Sequence, residues 1–313
     1  MKIIQEILES EIFSQQPPVL VDIGASGEIY EKWEKISQYC ICLAFDADDR
    51  EFEITEETNK KYRKLIKINR IVTAESQTTA DFYLTSSPFC SSLLKPDEKG
   101  LRPWIFNPLF KVEKTVQLDT ITVNEALKQS NLDYVDWFKT DTQGTDLRLF
   151  MSLPEAIKAK ILIVDLEPGI MDAYSNEDKL HKVMSEVSSH GFWLSTMIVK
   201  GVQRLKPDYA NQLGKYLAER LVKRSPGWAE VTYLREPDLK TEREYLLLFI
   251  FSILEKQYGF AIETIDEGLT HFPTPLMQKC KAHTLALLNK NKVKVPLVIL
   301  KRQIAKIFSK IND

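Results

Sequence analysis

Four acidic residues in this chain each close a largely apolar run: Asp22 after PVLV, Asp46 after ICLAF, Asp141 after the segment Tyr134–Thr140, and Glu167 after ILIVDL. A carboxylate at the tip of a buried strand can accept hydrogen bonds from hydroxyls or amines. It can also take the proton of a weak nucleophile. Glycines accompany the first of the four. In VDIGASG, Gly24 and Gly27 follow Asp22 closely, and residues without a Cβ permit both a sharp turn and a close approach of the backbone to a ligand. The chain beyond them, with Ile29, Tyr30 and Trp33 spaced for one side of a helix, would offer its first N–H groups at the same point.

These residues need a frame that brings them together. The short runs Val19–Val21, Ile41–Phe45 and Ile161–Leu166 read as strands buried on both faces, with further strands near Leu65–Ala74 and Tyr134–Thr140. Strands separated by helical patterns and turns imply a mostly parallel, doubly wound α/β sheet. Such a sheet binds ligands beyond the carboxyl ends of its strands, and Asp22, Asp46, Asp141 and Glu167 would gather there. Asp46 lies about twenty residues beyond the glycines, the interval at which an acidic side chain accepts the ribose hydroxyls of a nucleoside cofactor. Asp48 and Asp49 read as water-facing. The dinucleotide fingerprint needs three glycines, whereas only Gly24 and Gly27 are present, with Ala25 and Ser26 between them, so NAD is disfavoured.

The pattern D-x-G-x-x-G resembles the first motif of class I S-adenosylmethionine methyltransferases. A longer series, VDIGASGEIYEKW, LAFDAD, SSPFCSSLLKPD, VQLDTITVNEAL, DYVDWFKTDTQGTDLRLF and ILIVDLEPGI in that order, resembles the FkbM-type methyltransferase family from about Val19 to about Arg235. The resemblance implies a Rossmann-like class I methyltransferase sheet with S-adenosylmethionine held by Asp22, Gly24, Ala25, Ser26 and Gly27, and by Asp46 on the ribose. It also implies O-methylation of a hydroxyl on a sugar, glycan or natural product, and closure of the polar loop Ser86–Asp97 over the site through Ser91 and Ser92.

The chain departs from the family's commonest pattern at Ser26, at Asp46-Ala47 and at Gln143, where an acidic residue is usual. An amide cannot take up a proton at neutral pH, so a general base falls to Asp141 or Glu167. Asp141 has the alternative of capping a helix that starts near Gly144, and Glu167, before Pro168 and Gly169, that of a turn residue.

The chain has 313 residues, enough for a main domain and a smaller appendage. Residues 1–238 read as the cofactor-binding domain, with an amphipathic N-terminal helix packed on it rather than a secretory signal. Residues 239–313 read as a small helical domain whose apolar faces must be covered, as a sheet-edge cap or in a homodimer. A formal net charge of −2 argues against a nucleic-acid partner. The four cysteines show no metal-ligand or disulfide spacing, no metal site is expected, and the protein reads as cytoplasmic. The most apolar run, Tyr245–Leu254, is too short to span a bilayer. The expectation is an S-adenosylmethionine-dependent O-methyltransferase. The alternative is a non-catalytic protein that binds the same cofactor and uses its helices as a scaffold.

Overall fold

The computed structural model describes residues 2–24, 30–45, 56–59, 61–292, 295, 296 and 299. The chain divides into two compact units, residues 14–236 and residues 1–13 with 237–313.

The first unit contains β1 (Val19–Ile23), β2 (Ile41–Phe45), β3 (Glu56–Asn59), β4 (Tyr62–Ile68), β5 (Ile71–Val72), β6 (Thr79–Thr85), β7 (Val112–Ile121), β8 (Trp137–Thr140), β9 (Ile163–Leu166), β10 (Phe192–Gln203) and β11 (Arg224–Arg235). Eight of them form one sheet in the order β10-β11-β9-β8-β1-β2-β4-β3. β4, β2, β1, β8 and β9 are parallel, β3 is antiparallel to β4, and β11 is antiparallel to both β9 and β10. From β1 the chain builds outward to β2 and β4, then returns to build outward through β8 and β9. The boundary between β1 and β8 is therefore the switch point at which such sheets open a crevice.

The strand expected near Leu65–Ala74 is split. Tyr62–Ile68 joins the large sheet, while Ile71–Val72 pairs with β7 in a separate three-stranded sheet of order β5-β7-β6.

Alternation along each strand gives the sheet two unlike faces. Val19, Val21, Ile23, Phe138, Val164, Leu166, Val231 and Tyr233 enter the main apolar core, which helices Val123–Gln129, Asp146–Met151 and Leu180–Ser189 complete with Leu127, Phe150, Val183 and Val187. The first of these helices starts with a capping box formed by Thr122 and Glu125, a signature readable as T-x-x-E. On the opposite face Asp22, Lys139, Asp165 and Thr232 are register partners, a polar row across four adjacent strands.

Residues 30–39 cover part of that polar face, and among the described residues they form two 3₁₀ turns, Glu31–Trp33 and Ser37–Tyr39, instead of the expected helix. The sheet explains the difference. Lys32 reaches Asp165 at 3.2 Å, Trp33 sits edge-on to Trp137 at 5.8 Å, and Tyr30 touches both tryptophans. One stripe of an α-helix cannot present three such closely spaced residues to the same surface.

The second unit contains helices Lys2–Leu8, Glu242–Leu254, Tyr258–His271 and Pro275–Asn291. The N-terminal helix, expected on the sheet domain, belongs here instead. It buries Ile3, Ile4, Ile7 and Leu8 and meets helix Pro275–Asn291, where Glu6 pairs with Lys279. An apolar stripe of this kind is indifferent to sequence distance and takes the partner that the fold offers. Among the described residues no helix is long and apolar enough to cross a membrane. The four cysteines are buried and form no disulfide.

Candidate active site at the sheet switch point

The carboxyl ends of β2, β1 and β8 are tied together at one place. Gly24 N–H donates to the Phe45 carbonyl at 3.0 Å, and Asp141 N–H donates to the Ile23 carbonyl at 2.9 Å. Gly24 has φ +85°, and a Cβ there would overlap the main-chain carbonyl oxygen of Asp141. Only glycine satisfies both demands. Ala25, Ser26, Gly27 and Asp46, which the sequence assigns to the same site, lie outside the described residues.

Asp22 is 1 % exposed and forms an ion pair of 2.8 Å with Lys139 of β8. Its second oxygen accepts the Tyr30 N–H at 3.2 Å. Burial lifts the Asp22 carboxyl above its ordinary value against the pull of the ammonium. Burial also opposes charge on Lys139, but Asp22, Asp141 and then Glu167 around it hold the ammonium above its ordinary value. Lys139 further donates to the Gly24 carbonyl at 3.4 Å and lies 5.7 Å from the Tyr30 ring centroid. Sequence reasoning did not single it out as a site residue. The signal was present, since a lone lysine inside an otherwise apolar strand has to find a buried partner.

Asp141 is not a helix cap. Helix Asp146–Met151 begins after Thr145, and it is Asp146, fully buried, that accepts the Thr140 hydroxyl at 2.6 Å and the Thr142 hydroxyl at 3.2 Å. The Asp141 carboxylate instead accepts the Gln143 amide at 2.8 Å, and the Gln143 amide oxygen accepts the Tyr174 hydroxyl at 3.2 Å. Gln143 therefore orients the neighbouring carboxylate, whatever it cannot do as a base. It adopts φ +56°, a conformation uncommon for a residue with a side chain, and Gly144 follows at φ +112°.

Glu167 follows β9, and its carboxyl is pushed up to about 9, first by burial and then by the charges of Asp141, Asp146 and Glu230. It is thus a neutral acid at pH 7, able to donate a hydrogen bond. The segment after it folds against the Gly144 turn, where Asp178 N–H donates to the Gly144 carbonyl at 2.8 Å. The same segment meets the loop after β6: Asp97 N–H donates to the Ala173 carbonyl and Ser175 N–H to the Lys95 carbonyl, both at 2.9 Å.

Ser91 and Ser92 lie in that loop. Ser92 donates to the Gln143 carbonyl at 2.9 Å, and Ser91 accepts the Thr85 N–H at 3.1 Å. The structure thus gives both hydroxyls partners within the chain, and Ser92 pins the loop to the turn that carries Asp141.

Taken together, Asp22, Asp141 and Glu167 surround a single ammonium, that of Lys139. With Glu167 neutral, Asp22 and Asp141 still outnumber the one ammonium among them, an arrangement that favours a cationic ligand over an anionic pyrophosphate. Among the described residues no cluster of His, Cys, Asp and Glu is arranged to hold a metal ion. In comparison with known proteins, the chain matches no family model and no curated protein is significantly similar to it.

Proposed function

We propose that the protein transfers a methyl group from S-adenosylmethionine to a hydroxyl of a sugar, glycan or natural product. The observation that carries this reading is the cluster of carboxyl groups around Lys139 at the switch point between β1 and β8, with Gly24 making the turn beside it. The cofactor, when bound, supplies a methyl group on a positively charged sulfur. Its ammonium and sulfonium charges suit the groups present, which is the test that a dinucleotide fails. The sheet order supports the choice, since antiparallel β11 stands between β9 and β10 and interrupts the dinucleotide arrangement 3-2-1-4-5-6.

Gly24 and Asp22 would hold the cofactor together with Ala25, Ser26, Gly27 and Asp46. Lys139 keeps Asp22 in place and limits the negative charge. Asp141 accepts the proton of the acceptor hydroxyl as its oxygen becomes nucleophilic, with Gln143 and Tyr174 fixing the direction of the carboxylate. Glu167 donates a hydrogen bond while neutral. The loops after β6 and β9 pack on each other and on the turn that carries Asp141, and holding the reacting atoms in line does most of the work.

Titration calorimetry with S-adenosylmethionine and with NAD tests the reading. The methyl donor should bind, and at pH 8 in buffers of different ionisation enthalpy binding should release protons, because a cationic ligand lowers Glu167 from its raised value. Tighter binding of NAD, or no binding of the methyl donor, rejects the proposal. A labelled methyl donor incubated with cell extract then separates transfer from binding alone. Binding without transfer to any component would favour the non-catalytic alternative.

A further inference from the structure

The hairpin between β10 and β11 contains an excursion, residues 204–223, folded into two short helices, Pro207–Leu213 and Lys215–Leu221. These helices are packed the wrong way round for a soluble surface. Each buries an alanine, Ala210 at 5 % and Ala218 at 0 % exposure, while the large side chains Tyr209, Leu213, Tyr216, Leu217 and Leu221 stand between 41 % and 69 % exposed. Large apolar side chains concentrated in this way on an insertion mark an interaction surface. Gly214 brings the two helices together, and the Leu217 and Ala218 N–H groups donate to its carbonyl at 3.1 and 3.0 Å.

The charges around this surface are as one-sided as its apolar content. Residues 204–224 carry six basic side chains against two acidic ones, in a chain whose net charge is −2. The Arg220 guanidinium lies over the Tyr216 ring at 3.7 Å, and Lys206, Lys223 and Arg224 are exposed. An apolar face rimmed by Lys and Arg and carrying Tyr at its border fits a bilayer interface, where the leucines enter the acyl boundary and the cations meet anionic headgroups. We infer that the 204–223 excursion, with Arg224 beside it, docks this protein on the surface of a bilayer that carries anionic lipid.

The position of the excursion gives the docking a direction. β10 runs parallel to β9, with Met197 level with Leu166, so Gln203 lies six residues beyond that level in the direction in which β9 leads to Glu167. The Gln203 amide donates to the Glu219 carbonyl at 2.9 Å, fixing the helices to that end of β10. The inference does not rest on methyl transfer, because it uses none of the residues of the crevice.

The full chain sediments with phosphatidylcholine vesicles that contain phosphatidylserine, and rising salt weakens the association. Leu217→Asp with Leu221→Asp abolishes sedimentation while circular dichroism is unchanged, since both side chains are already exposed. Lys223→Glu with Arg224→Glu, a pair outside the two helices, weakens binding by more than about tenfold. The inference is overturned if the parent protein fails to sediment with these vesicles or if the leucine variant binds them as well as the parent. It is also overturned if analytical ultracentrifugation finds a dimer that the leucine variant disperses while neither protein binds vesicles. The patch is then a contact between copies.

Discussion

At the scale of residues, the proposed methyl transfer assigns proton transfer to Asp141 and cofactor binding to the turn at Gly24, and the two can be tested apart. Asp141→Asn keeps the shape and removes the charge, and is expected to lower turnover by about a hundredfold or more with little change in affinity for the methyl donor. Tyr174→Phe removes the hydroxyl that bonds Gln143 at 3.2 Å and the Cys90 carbonyl at 2.9 Å, and leaves the Asp141 charge in place. It should reduce kcat by less than Asp141→Asn and leave KM for the donor in place, which steady-state kinetics would show. Glu167 makes a prediction about pH. Its folded value of about 9 lies above its ordinary value of 4.5, so its protonated form is preferred in the native state. That contribution to stability is complete below 4.5 and is lost as pH rises towards 9. Denaturant unfolding should therefore show stability falling across this window, and Glu167→Gln should flatten the slope. An unchanged slope in the variant would place the titrating group elsewhere.

At the scale of elements, the site depends on how closely β1 and β8 approach at their carboxyl ends. Gly24→Ala would place a methyl group against the Asp141 carbonyl at a positive φ, so either the turn or the pairing beyond Ile23 has to give. The expected cost is about 2 kcal/mol or more, with a melting temperature lower by roughly 4 °C or more. Donor affinity should fall as well, since the same turn holds Asp22. The polar row on the sheet shows a different constraint. Asp165 accepts the Trp137 indole N–H at 2.6 Å and the Thr232 hydroxyl, and pairs with Lys32. Removing one member of such a buried network leaves its partners unsatisfied, which is why residues 30–39 follow the sheet in 3₁₀ turns and not as a helix.

At the scale of the whole molecule, the division into residues 14–236 and residues 1–13 with 237–313 changes what a truncation should do. Removing 237–313 alone strips the cover from Ile3, Ile4, Ile7 and Leu8, and is expected to yield an aggregating chain. Removing 1–13 as well takes that stripe away, and a chain of residues 14–236 should be the more soluble of the two. It retains every described residue of the crevice, so its affinity for the methyl donor should stay within a few fold of the parent's, as calorimetry would measure.

The sequence by itself determined the strands that build the site, because Val19–Val21, Ile41–Phe45 and Ile161–Leu166 are short, largely apolar runs bounded by turn residues, and only Asp165 interrupts them. It also determined that Asp141 and Glu167 follow strand ends, whereas Asp22, expected to close its strand, lies inside β1, which runs on to Ile23 before the turn at Gly24. The tertiary structure alone decided what those residues touch. Lys139 became the partner of Asp22 because parallel pairing set β1 and β8 in a register that no local pattern encodes. Gln143 became an orienting group because a left-handed turn points its amide back at Asp141. Ser91 and Ser92 were turned inward, and the N-terminal helix was drawn to a partner far along the chain. Burial of an apolar stripe is local chemistry and can be read residue by residue, whereas register, hydrogen-bond partners and raised pKa values depend on which groups folding brings within a few ångströms.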